Sequence, residues 1–449
     1  MSAAGPAAPA YRRLEARAAA LAAAAAAFRP SPQPGGRVRA FDGMLLEVEG
    51  LEAPRGALAH VAGTAGPVAA EVVGFRDGRL LLMALEHGAI APGARILLDD
   101  PEDHVPAGPA LFGRVVDALG RPVDGEALMR AEAWPLAGRP VPPLARAEVS
   151  EPLATGVRAL DALFTLGVGQ RIGLIAGTGV GKSVLLQQIV RGTAADAVVA
   201  ALIGERGREI TAFREALPEA QRRRTTVVAV PADQAAPLRL RGAMAAFAMA
   251  EALRARGLSV LLLLDSLTRI AQAQREIGLA VGEPPGARGY PASALAVIPR
   301  LVERAGRDAR TGGAVTAVVT VLAEGDDLLA DPVADAARGV LDGHVLLSRE
   351  VAARGRFPAI DLGHSVSRTM AACVDPAHLR AAAALRRDWA LAEANRDLVA
   401  MGAHVPGADP ALDRALAQAP KIEAFLAQDA GETADFAASV AALLAEWGA

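Results

Sequence analysis

Lysine is almost missing from this chain: Lys182 and Lys421 are the only two among 47 basic side chains. Arginine serves nearly everywhere else, and one of the two lysines falls in a glycine-rich stretch where a compact ammonium on a flexible stem does something a planar guanidinium cannot. Cysteine is reduced to Cys373, which excludes an intrachain disulfide and fits a reducing compartment. Aromatic residues make up 3% of the chain, and the seven histidines show no paired metal-ligand spacing, so they are read as structural or surface groups. No apolar run approaches the ~18 residues of a membrane span. A formal net charge of −3 gives no overall basic field for nucleic acid.

What the chain has in abundance is alanine and other hydrophobic residues, 52% over 449 positions, enough for large cores in roughly two to four domains. Arg12, Arg13 and Arg17, followed by the alanine-rich run Ala18 to Phe28, superficially suggest a secretory leader. That run ends in Phe28-Arg29-Pro30 and not at a small-residue cleavage site. Residues 1–30 are therefore expected to form a helical extension, either solvated or a docking handle for a partner or a membrane surface.

Beyond the linker Pro30 to Gly36, residues 31–105 carry short β-type runs such as Met44 to Val48, Val68 to Val73 and Leu80 to Met83, with turns at Asp42-Gly43 and Asp77-Gly78. A small β-barrel is the economical reading. Over residues 106–372 strands and helices alternate, which predicts an α/β core, a mostly parallel sheet covered on both faces. Strands are expected at Arg171 to Ala176, Ala197 to Ile203, Thr225 to Val230, Val260 to Leu264 and Ala314 to Leu322. Residues 373–449 read as a helical domain, with Asp375-Pro376 and Asp409-Pro410 as helix starts and Thr433 as the cap of the last helix.

Lys182 lies in Ala176-Gly-Thr-Gly-Val-Gly-Lys-Ser183, between a predicted strand and a predicted helix. Gly177, Gly179 and Gly181 let the backbone turn sharply and bring amide groups to phosphate oxygens, at the positive end of the helix that starts near Lys182. Gly177, Thr178, Gly179, Val180, Gly181, Lys182, Ser183 and Val184 are thus the candidate nucleotide contacts, and Ser183 can ligate Mg²⁺. Val260-Leu-Leu-Leu-Leu-Asp265 is an apolar strand ending in a carboxylate, so Asp265 is a second candidate metal ligand. Glu205 follows another strand and should emerge at the same sheet edge, where it can polarise an attacking water. An ion pair with Arg206 or Arg208 is the competing reading for Glu205.

These segments resemble those of the flagellar and type III secretion ATPases, relatives of the rotary ATP synthase subunits. The resemblance is carried by Thr155 to Asp161, the glycine loop, Gly204 to Glu209, Leu264 to Arg269, Arg288 to Pro291 and Asp331 to His344. It implies a RecA-like P-loop core with ATP and Mg²⁺ as cofactors. Lys182, Glu205 and Asp265 then match the phosphate lysine, the catalytic glutamate and the metal-side aspartate, with Arg206 beside the phosphates. Phe357 matches the aromatic that packs on adenine, and Arg368 the arginine that reaches into a neighbour's site.

The resemblance further implies a hexameric ring in the cytoplasm, peripherally attached to the inner-membrane export apparatus. Its implied partners are a stator-like regulator at the N-terminus, a coiled-coil stalk protein in the pore, chaperone-bound export substrates and the membrane export gate. The Asp331 to His344 stretch favours the flagellar machine over an injectisome and disfavours a rotary synthase subunit. A hexameric RNA translocase shares such a core, but Phe41 and Phe75 are the only clear aromatics of the expected barrel, too few for a nucleic-acid surface.

Overall fold

A computed structural model describes residues 35–99, 103–128, 130–323 and 331–448; the expected N-terminal helix lies outside them. Six strands, Gly35–Phe41, Leu45–Glu49, Leu58–Gly63, Gly66–Arg76, Arg79–Ala84 and Arg95–Leu98, close into a barrel in the order first, second, fifth, fourth, third, sixth. Alternate side chains turn inward, among them Val38, Leu46, Val48, Val61, Val72, Leu82 and Ile96, as the two-residue period of a half-buried strand requires. The Asp77-Gly78 hairpin turn takes positive φ at both residues, 50° and 74°, the conformation that turns two strands back at their native twist. Phe75, next to this turn, is exposed. Beneath the barrel, Arg241 of the helix Ala236–Arg254 is buried, pairs with Asp103 and lies 3.7 Å from Glu71. Burial pushes the Glu71 carboxyl up to about 7, and the Arg241 charge opposes that shift.

The central sheet runs Ile360–Ser367, Gly343–Leu347, Arg171–Ala176, Ala314–Leu322, Ser259–Asp265, Ala197–Glu205, Thr225–Pro231, Val115–Val116. Its neighbours pair in parallel except at one edge, where Ile360–Ser367 is antiparallel to Gly343–Leu347. The inner strands are apolar on both faces, and each face forms its own core. Val199, Ala201, Leu262 and Val319 meet the helices Ala236–Arg254, Leu267–Ala280 and Ala292–Val302. Val198, Ala200, Leu261 and Val318 meet Leu185 and Ile189 of the helix Lys182–Gly192.

The second core continues without a break into the C-terminal helices Pro376–Ala394, Pro410–Leu426 and Phe436–Trp447 through Leu385, Ile422, Leu426, Leu443 and Trp447. Asp375 and Asp409 cap their helices with proline in the first turn, as expected. The last helix departs from expectation: its cap is Asp435, whose carboxylate accepts from Ala438 N–H at 2.8 Å, and Thr433 lies outside it. An ionised oxygen at this position both accepts the hydrogen bond and meets the helix dipole, where a hydroxyl does only the first.

Candidate active site

Parallel strands deliver their following loops to one edge, and the site is assembled there. Strand Arg171–Ala176 leads into the glycine loop, and the helix Lys182–Gly192 leaves it. Gly179 and Gly181 hold φ of 79° and 88°, a region closed to residues with a Cβ at low cost. The helix starts at Gly181 without any side-chain cap, so its first-turn amides are left for an anion. Val180 is buried and anchors the loop, while Thr178, Ser183 and Val184 face outward.

Lys182 Nζ donates to Asp265 Oδ1 and lies 3.5 Å from Glu205 Oε1. The three groups arrive from different elements: Glu205 ends the strand Ala197–Glu205, and Asp265 ends Ser259–Asp265. Their side chains keep only 11%, 12% and 6% exposure for Lys182, Glu205 and Asp265. In that enclosure burial, and next the Asp265 charge, push the Glu205 carboxyl up to about 7, while Lys182 pulls the other way. A carboxyl poised there can take or guide a proton near neutral pH. Glu205 does not pair with Arg206. That guanidinium is exposed and sits 3.8 Å from Glu209.

Phe357 follows Arg356 in the turn after the short helix Arg349–Ala353 and is 45% exposed. Its ring edge would lie 3.4 Å from a Cβ placed on Gly181. Phe357, Gly181, Val184, Gln188 and the turn Ala427 to Ala430 line a cleft of about 400 Å³ beside the glycine loop. The far wall is stitched in place. Gln428 donates its backbone N–H to Phe357 O at 2.9 Å and its amide to Gly156 O at 2.8 Å, and its amide oxygen accepts from Arg158 N–H at 2.8 Å. Gln188 of the loop helix donates to Asp429 O at 2.9 Å.

Arg368 is far from this cluster in its own chain. It follows the edge strand Ile360–Ser367, where Ser367 opposes Gly343, and its N–H donates to Asp342 O at 2.9 Å. Because Gly173–Ala176 runs parallel with His344–Leu347, this is the sheet edge opposite the glycine loop, about 20 Å away at 3.3 Å per residue. The Arg368 guanidinium is exposed and makes no hydrogen bond or ion pair among the described residues.

Sequence reasoning missed Thr320 and Gln428. Thr320 is fully buried and donates to Asp265 Oδ1 at 2.6 Å; its signal was a hydroxyl within the apolar run Ala314 to Leu322. Gln428 sits in a turn between helices and carries no pattern to read.

A glycine-loop strand-to-helix turn, an apolar strand ending in Asp265 and a doubly covered parallel sheet define a P-loop ATPase with a RecA-like core. Known proteins place it further. Residues 156–367 match the ATP synthase alpha/beta family, nucleotide-binding domain, and residues 374–445 match the T3SS EscN ATPase C-terminal domain. The flagellum-specific ATP synthase of Pseudomonas aeruginosa is 49% identical over 415 residues, covering 91% of this chain and 92% of that protein. The type 3 secretion system ATPase of Sinorhizobium fredii is 46% identical over 374 residues, 83% and 82% of the two chains.

Among solved structures, the assembled ATPase EscN of the enteropathogenic E. coli type III secretion system superposes with a TM-score of 0.87 at 36% identity, over 92% of this chain and 100% of that one. EscN in complex with its central stalk EscO gives 0.83 at 35% identity over the same shares. The chain belongs to the family of flagellum-specific and type III secretion ATPases.

Proposed function

We propose that the chain is a ring-forming ATPase that energises protein export through the flagellar apparatus, releasing or unfolding chaperone-bound substrates at the export gate. The observation that carries the mechanism is the convergence of Lys182, Glu205 and Asp265 at the head of the glycine loop. Lys182 pairs with Asp265 and partly offsets the charge near Glu205 until a triphosphate enters, and its ammonium then turns to the β- and γ-phosphate oxygens. Glu205 orients the attacking water and accepts its proton. Phe357 and the turn around Gln428 receive the base.

Mg²⁺ fits the donors that remain. Ser183 offers an exposed hydroxyl and Asp265 a carboxylate, both hard oxygen ligands. Among the described residues no group of three or more His, Cys, Asp or Glu could hold a metal by itself, so the phosphates would complete the shell, as is usual for this ion. When bound, Mg²⁺ neutralises charge building on the transferring phosphoryl group.

The position of Arg368, exposed on the edge opposite its own loop, supports its use by the next subunit of a ring. A head-to-tail interface that closes on itself puts the donor edge of one copy against the acceptor edge of the next, and the assembled EscN structure supports such an arrangement here. By the same relation a coiled-coil stalk is proposed for the pore, along with a stator-like regulator and a cytoplasmic location beneath the inner membrane. No helix of the described residues is long and apolar enough to cross a membrane. The injectisome is the second reading, favoured by the 46% identity to the Sinorhizobium fredii relative.

The test is phosphate release in excess Mg-ATP without RNA. The wild-type chain hydrolyses ATP, and Lys182→Ala loses at least about a hundredfold. Undiminished release by the variant removes the loop from the mechanism, and a strict RNA requirement favours a translocase.

A further inference from the structure

Asp265 holds two donors on one oxygen. Lys182 Nζ and Thr320 Oγ1 both reach Oδ1, Thr320 at 2.6 Å, while Oδ2 accepts no hydrogen bond from the described residues. Thr320 stands in the neighbouring strand, one residue beyond Val319, the partner of Leu264 in the ladder. Its hydroxyl has one proton and two acceptors within range, and the carboxylate at 2.6 Å is much nearer than Leu264 O at 3.3 Å. The hydroxyl is fully buried, so no water competes for it.

The strand that carries Thr320 is itself held against the helix following Asp265. Thr268 Oγ1 donates to Leu322 O at 3.2 Å and accepts from Leu322 N–H at 2.9 Å. The backbone on both sides of the pair is therefore tied, and the short contact is between two anchored groups.

We propose that Thr320 is a positioning residue for the metal-side carboxylate. It fixes the rotamer of Asp265 and keeps Oδ2 turned toward the phosphate loop after Lys182 has left for the incoming phosphates. The two donors differ in this respect. Lys182 sits on a flexible stem and has to change partners during each turnover, whereas Thr320 is rigid at χ1 and remains. Without Thr320, the Asp265 carboxylate keeps no hydrogen bond from the described residues once the lysine departs, and it is free to swing. The inference rests on the assignment of Asp265 to the metal, and it adds a residue that neither the glycine loop nor the apolar strand motif contains.

The experiment compares ADP binding by calorimetry, in EDTA and in excess Mg²⁺, for the full-length wild type, Thr320→Val, Thr320→Ser and Asp265→Asn. The readout is the ratio of the two dissociation constants, a measure of metal coupling that needs no turnover. A hydrogen bond to a charged group is lost in Thr320→Val at nearly constant shape, so the ratio is expected to fall roughly tenfold or more with the EDTA constant unchanged. Thr320→Ser keeps the hydroxyl and loses a methyl group, and it is expected to stay within about twofold of the wild type.

A wild-type ratio in Thr320→Val overturns the proposal. So does a loss in Thr320→Ser as large as in Thr320→Val, because packing would then be the cause. If Asp265→Asn loses metal coupling while Thr320→Val keeps it, only the positioning role fails. If Asp265→Asn keeps full coupling, the assignment of Asp265 itself is wrong and the role of Thr320 falls with it.

Discussion

Single residues set the chemistry through the fields they impose on each other. Two carboxylates and one ammonium share a nearly dry pocket, and the charges do not cancel: the carboxylates outnumber the lysine. Burial of Glu205 next to Asp265 holds its carboxyl at about 7 in the nucleotide-free state, so the ionised base accumulates as pH rises through that value. Since kcat/KM reports ionisations of the free enzyme, kcat/KM for ATP should fall on the acid side with a midpoint near 7. Glu205→Gln should lower turnover by roughly a hundredfold or more and flatten that limb. A pH profile of kcat/KM in phosphate-free buffers checks both. An unchanged acid limb in Glu205→Gln would assign it to another group.

At the scale of elements, the sheet edge and the C-terminal helices meet at the base cleft. The turn Ala427 to Ala430 belongs to the C-terminal part of the chain, yet it forms one wall of the cleft and is bonded to the loop helix, to Phe357 and to Gly156. Gln428 is the buried centre of this network. Gln428→Ala should weaken ADP binding by roughly tenfold, the worth of one or two buried hydrogen bonds. Binding of inorganic tripolyphosphate should not change, because that ligand uses the glycine loop alone. Calorimetric titration of both ligands checks this, and an equal loss for the two would mean that the substitution disturbs the loop.

The elements differ in how plainly they can be read from residues. The inner strands are continuous apolar runs bounded by glycine or charge, and the expected Arg171 to Ala176 and Ala314 to Leu322 coincide with the observed strands. The strand-to-helix glycine loop and the placing of Glu205 and Asp265 at strand ends beside it were legible, because the loop's glycines fall at fixed spacing and each carboxylate closes an apolar run. The edge strand Ile360–Ser367 and its neighbour Gly343–Leu347 were not. The first carries Asp361, Gly363, His364 and Ser365, and one unpaired side lets a strand be polar. Thr320 and Gln428 escaped for a related reason: their roles arise from contacts across 55 and 272 positions of chain, which no local pattern encodes.

At the scale of the whole molecule, the sheet separates two functions by its width and direction. The glycine loop opens at the carboxyl edge of the parallel strands, and the antiparallel edge strand Ile360–Ser367 carries Arg368 back to the other edge. On the proposed reading, one chain presents an acceptor site and an exposed guanidinium at opposite ends, the layout expected of a subunit completed by its neighbour. An arginine delivered in trans is worth roughly 10³- to 10⁵-fold in turnover, and it makes hydrolysis conditional on assembly. The injectisome and flagellar readings share this layout.

The most direct measurement is the rate of phosphate release by Arg368→Ala, taken at a concentration where the variant sediments as the same assembly as the wild type and binds Mg-ADP equally well. The prediction is unchanged binding with hydrolysis reduced at least about a thousandfold. Hydrolysis within about twofold of the wild type, in an intact assembly, would mean that the site is complete within one chain and that Arg368 does not act in trans.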